Sequence, residues 1–133
     1  MNQEPFDFSI QDLNPKFLFS CLVERNTEEK NYHSHDFIEL AIIMKGSSLF
    51  CINGINYTVS TGDLILLNPG TLHKSVPVIT PNSTCCLECY MGFTEIEYRD
   101  CIKNTLPLFH GQNQILHMND KLKHDVFQLC LAV

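Results

Sequence analysis

Short apolar stretches separated by turn residues run from Phe17 to about Phe93. Phe17 to Val23 is apolar and rich in strand-forming residues. Phe37 to Met44 is a nearly continuous apolar run that stops at Lys45-Gly46. Leu49 to Ile52 and Ile55 to Val59 flank Asn53-Gly54, and Asn-Gly between two such segments predicts a hairpin, because both central positions of a type I′ turn need positive φ. Ser60-Thr61-Gly62-Asp63 turns the chain into Leu64 to Leu67, and Asn68-Pro69-Gly70 closes that strand. Further strands are expected over His73 to Ile79 and Cys85 to Phe93. Closely spaced strands with such turns predict an all-β sandwich or barrel. Leu64 to Leu67 is apolar at every position, so one face should enter the interior while the other is covered by a second layer.

The pattern changes after Phe93. Thr94-Glu95-Ile96-Glu97 has the form of a capping box and predicts a short helix to about Asn104, ended by Leu106-Pro107. A second helix is expected from Asn119-Asp120. There Leu122, Val126, Leu129, Cys130 and Val133 recur at spacings of three and four, which places them on one stripe. The stripe is still apolar at the last residue. This predicts that the chain continues beyond Val133 or that a partner covers the helix, with these five residues as a homodimer seam.

Length and composition narrow the class. With 133 residues, 44% of them hydrophobic and 18% charged, one globular domain is expected. The formal charge is −6, and the nine Lys and Arg form no cluster that could follow a phosphate backbone. The chain by itself is therefore not expected to bind nucleic acid. The polar start, Met1 to Pro5, is unlike a signal peptide, and no stretch reads as a membrane span. Seven cysteines without an export signal predict reduced thiols in the cytoplasm. In Cys85-Cys86-Leu87-Glu88-Cys89 the thiols fall on opposite strand faces with no second pair to answer them, so packing rather than zinc is expected.

The chemistry concentrates at His33, His35, Glu39 and His73. His33, His35, Phe37 and Glu39 share parity, so on a strand they point to one face. A third imidazole brought across from His73 makes three histidines and a carboxylate, a set suited to one divalent metal such as Zn, Fe, Mn or Ni. Without a metal, the same groups make a polar ligand pocket. Phe37, Phe50, Tyr57 and Tyr90 are expected in the interior, with Phe37, Phe50 and Tyr57 as ligand walls. His110, His117 and His124 share no spacing and are expected at the surface.

His33-Ser34-His35-Asp36-Phe37-Ile38-Glu39, with Gly46 after it, resembles the first cupin motif. Gly62-Asp63 with Asn68-Pro69-Gly70-Thr71-Leu72-His73 resembles the second. Pro69 sits one position late, and Val76-Pro77 stands where cupins commonly carry an Asn. Taken together, His33 to Leu40, Lys45-Gly46, Gly62 to Gly70 and His73 are similar to the N-terminal domain of AraC-type transcription regulators, over roughly residues 17–93. The resemblance implies a cupin (jelly-roll) barrel at residues 1–93. One or two helices at 94–133 would hold a dimer. It implies a small-molecule effector in the barrel, no enzymatic activity, and DNA contact only through a C-terminal helix-turn-helix domain that these residues do not contain. The alternative is a small metal-dependent cupin enzyme, a dioxygenase or isomerase. Arg25 and Arg99 have no motif around them to support it.

Overall fold

A computed structural model of the chain describes residues 16–94 and 114–132. Eight strands and one helix follow in order: β1 (Lys16–Arg25), β2 (Ile38–Lys45), β3 (Ser47–Ile52), β4 (Ile55–Ser60), β5 (Asp63–Leu67), β6 (His73–Pro77), β7 (Cys86–Thr94), β8 (Gln114–His117) and α1 (Asp120–Ala132). One sheet has the order β1-β7-β2-β5-β8 and the other β4-β3-β6, with antiparallel pairing throughout. The expected mostly β architecture with a C-terminal helix is present. Thr94 ends β7, and the helix expected after it lies outside the described residues, as do Val133, Arg99 and His110. No helix among the described residues is long and apolar enough to cross a membrane.

Alternation along the strands makes two apolar layers. Ala41, Ile43, Ile65, Leu67, Cys86 and Tyr90 point from the larger sheet toward Phe50, Ile52 and Val59 of the smaller one. The opposite face of the larger sheet carries Ile42, Met44, Cys89 and Met91, and α1 covers them with Cys130, Val126 and Phe127. Leu64 joins this outer layer while Ile65 and Leu67 face inward, which is why β5 is apolar at every position. The Cys86 and Cys89 thiols are buried on opposite faces, as packing groups should be, and burial pushes the Cys86 thiol up to about 12. The cysteines of the described residues are free.

The helix stripe needs a correction. Val126 and Cys130 pack on the domain's own sheet, Val126 half-buried and Cys130 only 2% exposed, so Cys130 cannot face a partner and Val126 is turned mainly inward. Phe127 joins them, and the Lys123 stem lies over Gly62, so the buried face is turned roughly a quarter turn from the expected one. Leu122 and Leu129 remain exposed.

The turns are where the sequence placed them. Asn53 and Gly54 both have positive φ, as the hairpin requires. Gly46 has φ +89°, and a Cβ there would lie 2.7 Å from the Cys85 carbonyl oxygen. Gly46→Ala is expected to cost about 1–3 kcal/mol through backbone conformation alone, and the clash adds to it. Thermal denaturation of the variant checks this.

Candidate functional site

The two sheets meet in a cluster of imidazoles and carboxylates. Glu39 enters from β2 and His73 from the start of β6, both more than nine-tenths buried. His33 and His35 come from the irregular stretch before β2, not from a strand face. The parity expected of His33, His35 and Phe37 therefore fails, since regular structure begins at Ile38. A different device delivers them. His33 forms a single antiparallel bridge with His73, with N–H···O distances of 3.1 and 2.9 Å, and the Gly70 N–H donates to the His35 carbonyl at 2.7 Å. A chain that turns inward with few ladder bonds must satisfy its backbone this way.

One ring nitrogen from each of His33, His35 and His73 lies within 4.8 Å of the other two. Glu39 adjoins this triad: Oε1 lies 3.2 Å from His73 Nε2, and Oε2 lies 3.6 Å from His35 Nε2. Phe37 stacks on His35 at 4.6 Å, and Phe50 lies parallel to His73 at 6.3 Å. Tyr57 is placed elsewhere. It pairs with Phe50 across β3–β4 and lines a separate opening, because Phe50 stands between it and the histidines.

The hydrogen bonding at His73 defines the chemistry. Nδ1 lies 2.9 Å from the Thr71 carbonyl, so Nδ1 carries the proton that it donates there. Nε2 of the neutral ring is then an acceptor facing another acceptor, Glu39 Oε1, and neither atom has an aligned hydrogen bond. Such a pair calls for a proton or a cation between them. Burial alone would lower the His73 pKa, but Glu39, the Thr71 carbonyl and Glu29 together outweigh it and raise the value. His33 shifts the other way, lowered by burial and by His73 and His35. A metal-binding imidazole needs this same arrangement, one nitrogen tied to a carbonyl or carboxylate and the other free. The donor set therefore fits a divalent first-row metal.

A second polar set, missed in the sequence, lies beside the first. Glu88 on β7 is wholly buried. It accepts from Arg25 Nε at 3.0 Å, from Ser75 Oγ at 2.8 Å and from the Tyr90 hydroxyl. The Tyr90 hydroxyl is raised by burial and by the Glu88 charge. Glu29 links the two sets: Oε1 accepts the Ser75 N–H at 2.8 Å, and Oε2 lies 3.5 Å from His33 Nδ1 and 3.9 Å from the Arg25 guanidinium. Glu88 shares its inward parity with Cys86 and Tyr90, and that placement of a charge was the available signal.

No curated protein matches the chain in sequence. Among solved structures, an apo point variant of ToxT from Vibrio cholerae strain SCE256 superposes with TM-score 0.61 at 11% identity, over 88% of this chain and 47% of that one. Another ToxT crystal form from Vibrio cholerae gives 0.60 at 8% identity, over 86% and 48%. Wild-type ToxT with bound unsaturated fatty acid, from strain SCE256, gives 0.54 at 14% identity, over 85% and 44%. The chain thus spans about half the length of ToxT, and at these identities the likeness is one of fold. The family model of the AraC-like ligand binding domain matches residues 18–132, nearly the whole two-sheet fold and α1, and the chain belongs to that family.

Proposed function

We propose that this chain is the effector-sensing and dimerisation domain of an AraC-type transcription regulator working in the cytoplasm. A ligand held between the sheets would change how α1 packs. That change would reach DNA through a further C-terminal domain, not through these acidic residues. The observation that carries the reading is the facing, unsatisfied pair Glu39 Oε1 and His73 Nε2, buried inside a domain of a ligand-binding family. Buried polar atoms are ordinarily paired, so two unpaired ones pointing at each other mark a place kept for a guest.

The lining indicates what kind of guest. ToxT has been seen with an unsaturated fatty acid. Here Glu29, Glu39 and Glu88 stand against one guanidinium, Arg25, so the interior favours a small donor-rich effector or a divalent cation over a free carboxylate. His33, His35 and His73, with Glu39 adjoining, would hold the metal, which when bound supplies positive charge to orient an acceptor-bearing effector. Glu29 positions His33 and the Thr71 carbonyl fixes the His73 tautomer. The role is binding, not catalysis: Arg25, the one arginine among the described residues, is committed to Glu88. Dimerisation is assigned to the exposed edge of α1 at Leu122 and Leu129.

Calorimetric titration with Zn²⁺ and Mn²⁺, together with a thermal-shift screen of small polar molecules, tests the reading. We expect saturable binding of at least one of these, weakened about 10–100-fold or more by His73→Ala. Sedimentation should give a dimer that Leu129→Lys converts to monomer. Binding unaffected by His73→Ala, or no binding by any of the probes, would overturn the effector site. A monomer at high concentration would overturn the seam alone.

A further inference from the structure

Among the described residues β4 ends the smaller sheet and β8 ends the larger one, so each pairs on one side only. Between them lies a cavity of about 290 Å³ lined by Ile52, Tyr57, Thr58, Ile115 and His117. This is at the small end of the range for ligand pockets. Phe50 and Ile52 separate it from the histidine cluster: Phe50 lies opposite Tyr57 on one side and Ser75 on the other, and Ile52 lies opposite Ile55 and His73.

The polar groups of this opening are acceptors. Buried Asp63 accepts the Ser60 N–H at 2.8 Å through Oδ2, and the His117 Nδ1–H donates to Oδ1. That bond fixes the tautomer: with its proton on Nδ1, the neutral ring presents a lone pair at Nε2. A carboxylate behind an imidazole also strengthens the far nitrogen as a lone-pair donor. The Tyr57 hydroxyl oxygen is a further acceptor. No lysine or arginine lines the opening to offset the Asp63 charge. Lys123, whose stem lies over Gly62, carries its ammonium to Asp120, 3.6 Å away. Ile52 and Ile115 supply apolar walls.

We infer that the β4–β8 opening is a second ligand site, distinct from the histidine cluster, for a small primary amine. A short apolar body lies against Ile52 and Ile115, and the ammonium head donates to His117 Nε2 and the Tyr57 hydroxyl. An ammonium carries N–H donors and no acceptor, which is the complement of this lining. A carboxylate in the same place would meet lone pairs and a like charge. The site also adjoins the helix. His117 ends β8, and only Met118 and Asn119 separate it from α1. Met118 N–H donates to the Gly62 carbonyl at 3.0 Å, and Asn119 Oδ1 caps the helix at the Leu122 N–H at 2.9 Å. The Gly62-Asp63 turn thus holds both the ligand-facing imidazole and the lead into α1, so occupancy is felt at the helix. This coupling rests on the sensor reading above, whereas the binding site does not.

Methyl and amide NMR of the isotope-labelled chain at pH 8, titrated with hexylamine, hexan-1-ol and hexanoate, tests the site. Hexylamine should shift the Ile52 and Ile115 methyls saturably. Hexan-1-ol, which brings no charge for Asp63 to attract, should bind about fivefold more weakly, and hexanoate should give no saturable shift. His117→Asn keeps an N–H where Nδ1 donates to Asp63 but removes Nε2. That variant and Tyr57→Phe, each retaining the native spectrum, should each weaken hexylamine about fivefold. On the parent chain alone, hexan-1-ol or hexanoate binding as tightly as hexylamine, or no saturable shift with hexylamine, would overturn the site. A response lost in His73→Ala but indifferent to the other two variants would place the amine at the histidine cluster. That result would overturn the second site and leave the histidine site standing. Shifts of the Asp120 to Lys123 amides on saturation would support the coupling, and their absence would overturn the coupling alone.

Discussion

Glu88→Ala is expected to be the most damaging single substitution in this domain, lowering stability by roughly 3–5 kcal/mol. The reason is what the carboxylate leaves behind. Arg25 is mostly buried, with 16% of its side chain exposed, and without Glu88 its nearest carboxylate is Glu29 at 3.9 Å. Ser75 and the buried Tyr90 hydroxyl lose an acceptor in the same step. Removing one partner of a buried charged set costs far more than the set contributes net, because an uncompensated charge stays in a medium that solvates it poorly. A fall in melting temperature on the order of 10 °C should follow. Glu88→Leu combined with Arg25→Met should recover part of the loss, since the stranded charge is gone. If Glu88→Ala melts within a degree or two of the parent, the three-partner arrangement does not hold the sheets together.

That network shows what the sequence disclosed and what it withheld. Strands β2 to β7 were legible because Gly46, Asn53-Gly54, Gly62 and Gly70 punctuate them, and the structure needs positive φ at each. β8 was not. Its four residues carry no turn signal, and it is a strand because β5 offers it an edge at Ile65 and Leu64. His33, His35 and His73 do come together, but not through the strand parity expected of them: a bridge to His73 does the placing. The α1 stripe erred because spacing alone cannot say which side of a broad apolar arc meets the sheet. Arg25 and Glu88 were passed over since no local motif joins residues on different strands. Only the β1–β7 register, which sets Val23 opposite Glu88 and Arg25 opposite Cys86, brings them together.

Glu39→Gln should move stability the other way, and that contrast separates two of the buried carboxylates, Glu39 and Glu88. Glu88 has three donors, whereas Glu39 Oε1 faces the lone pair of His73 Nε2 with none. An amide of the same shape can donate to Nε2, so in chelator-treated protein at pH 8 the variant should be more stable by about 1–3 kcal/mol. The pH dependence carries the sign. His73 has its folded pKa raised above the unfolded value, so the stability from its proton is present below the unfolded pKa, near 6.5, and is lost as pH rises through the folded one. The parent is therefore best matched to its own site in mild acid, and the advantage of Glu39→Gln should shrink from pH 8 toward pH 6. His33, lowered in the fold, contributes stability that is lost as pH falls, but largely alike in both proteins, so it mostly cancels in the comparison. The same variant should lose Zn²⁺ affinity, because the neutral amide no longer offers the cation a charge. Greater stability together with weaker binding is the expected mark of a group kept for its guest. A variant less stable than the parent at pH 8 would mean that Glu39 serves the fold instead.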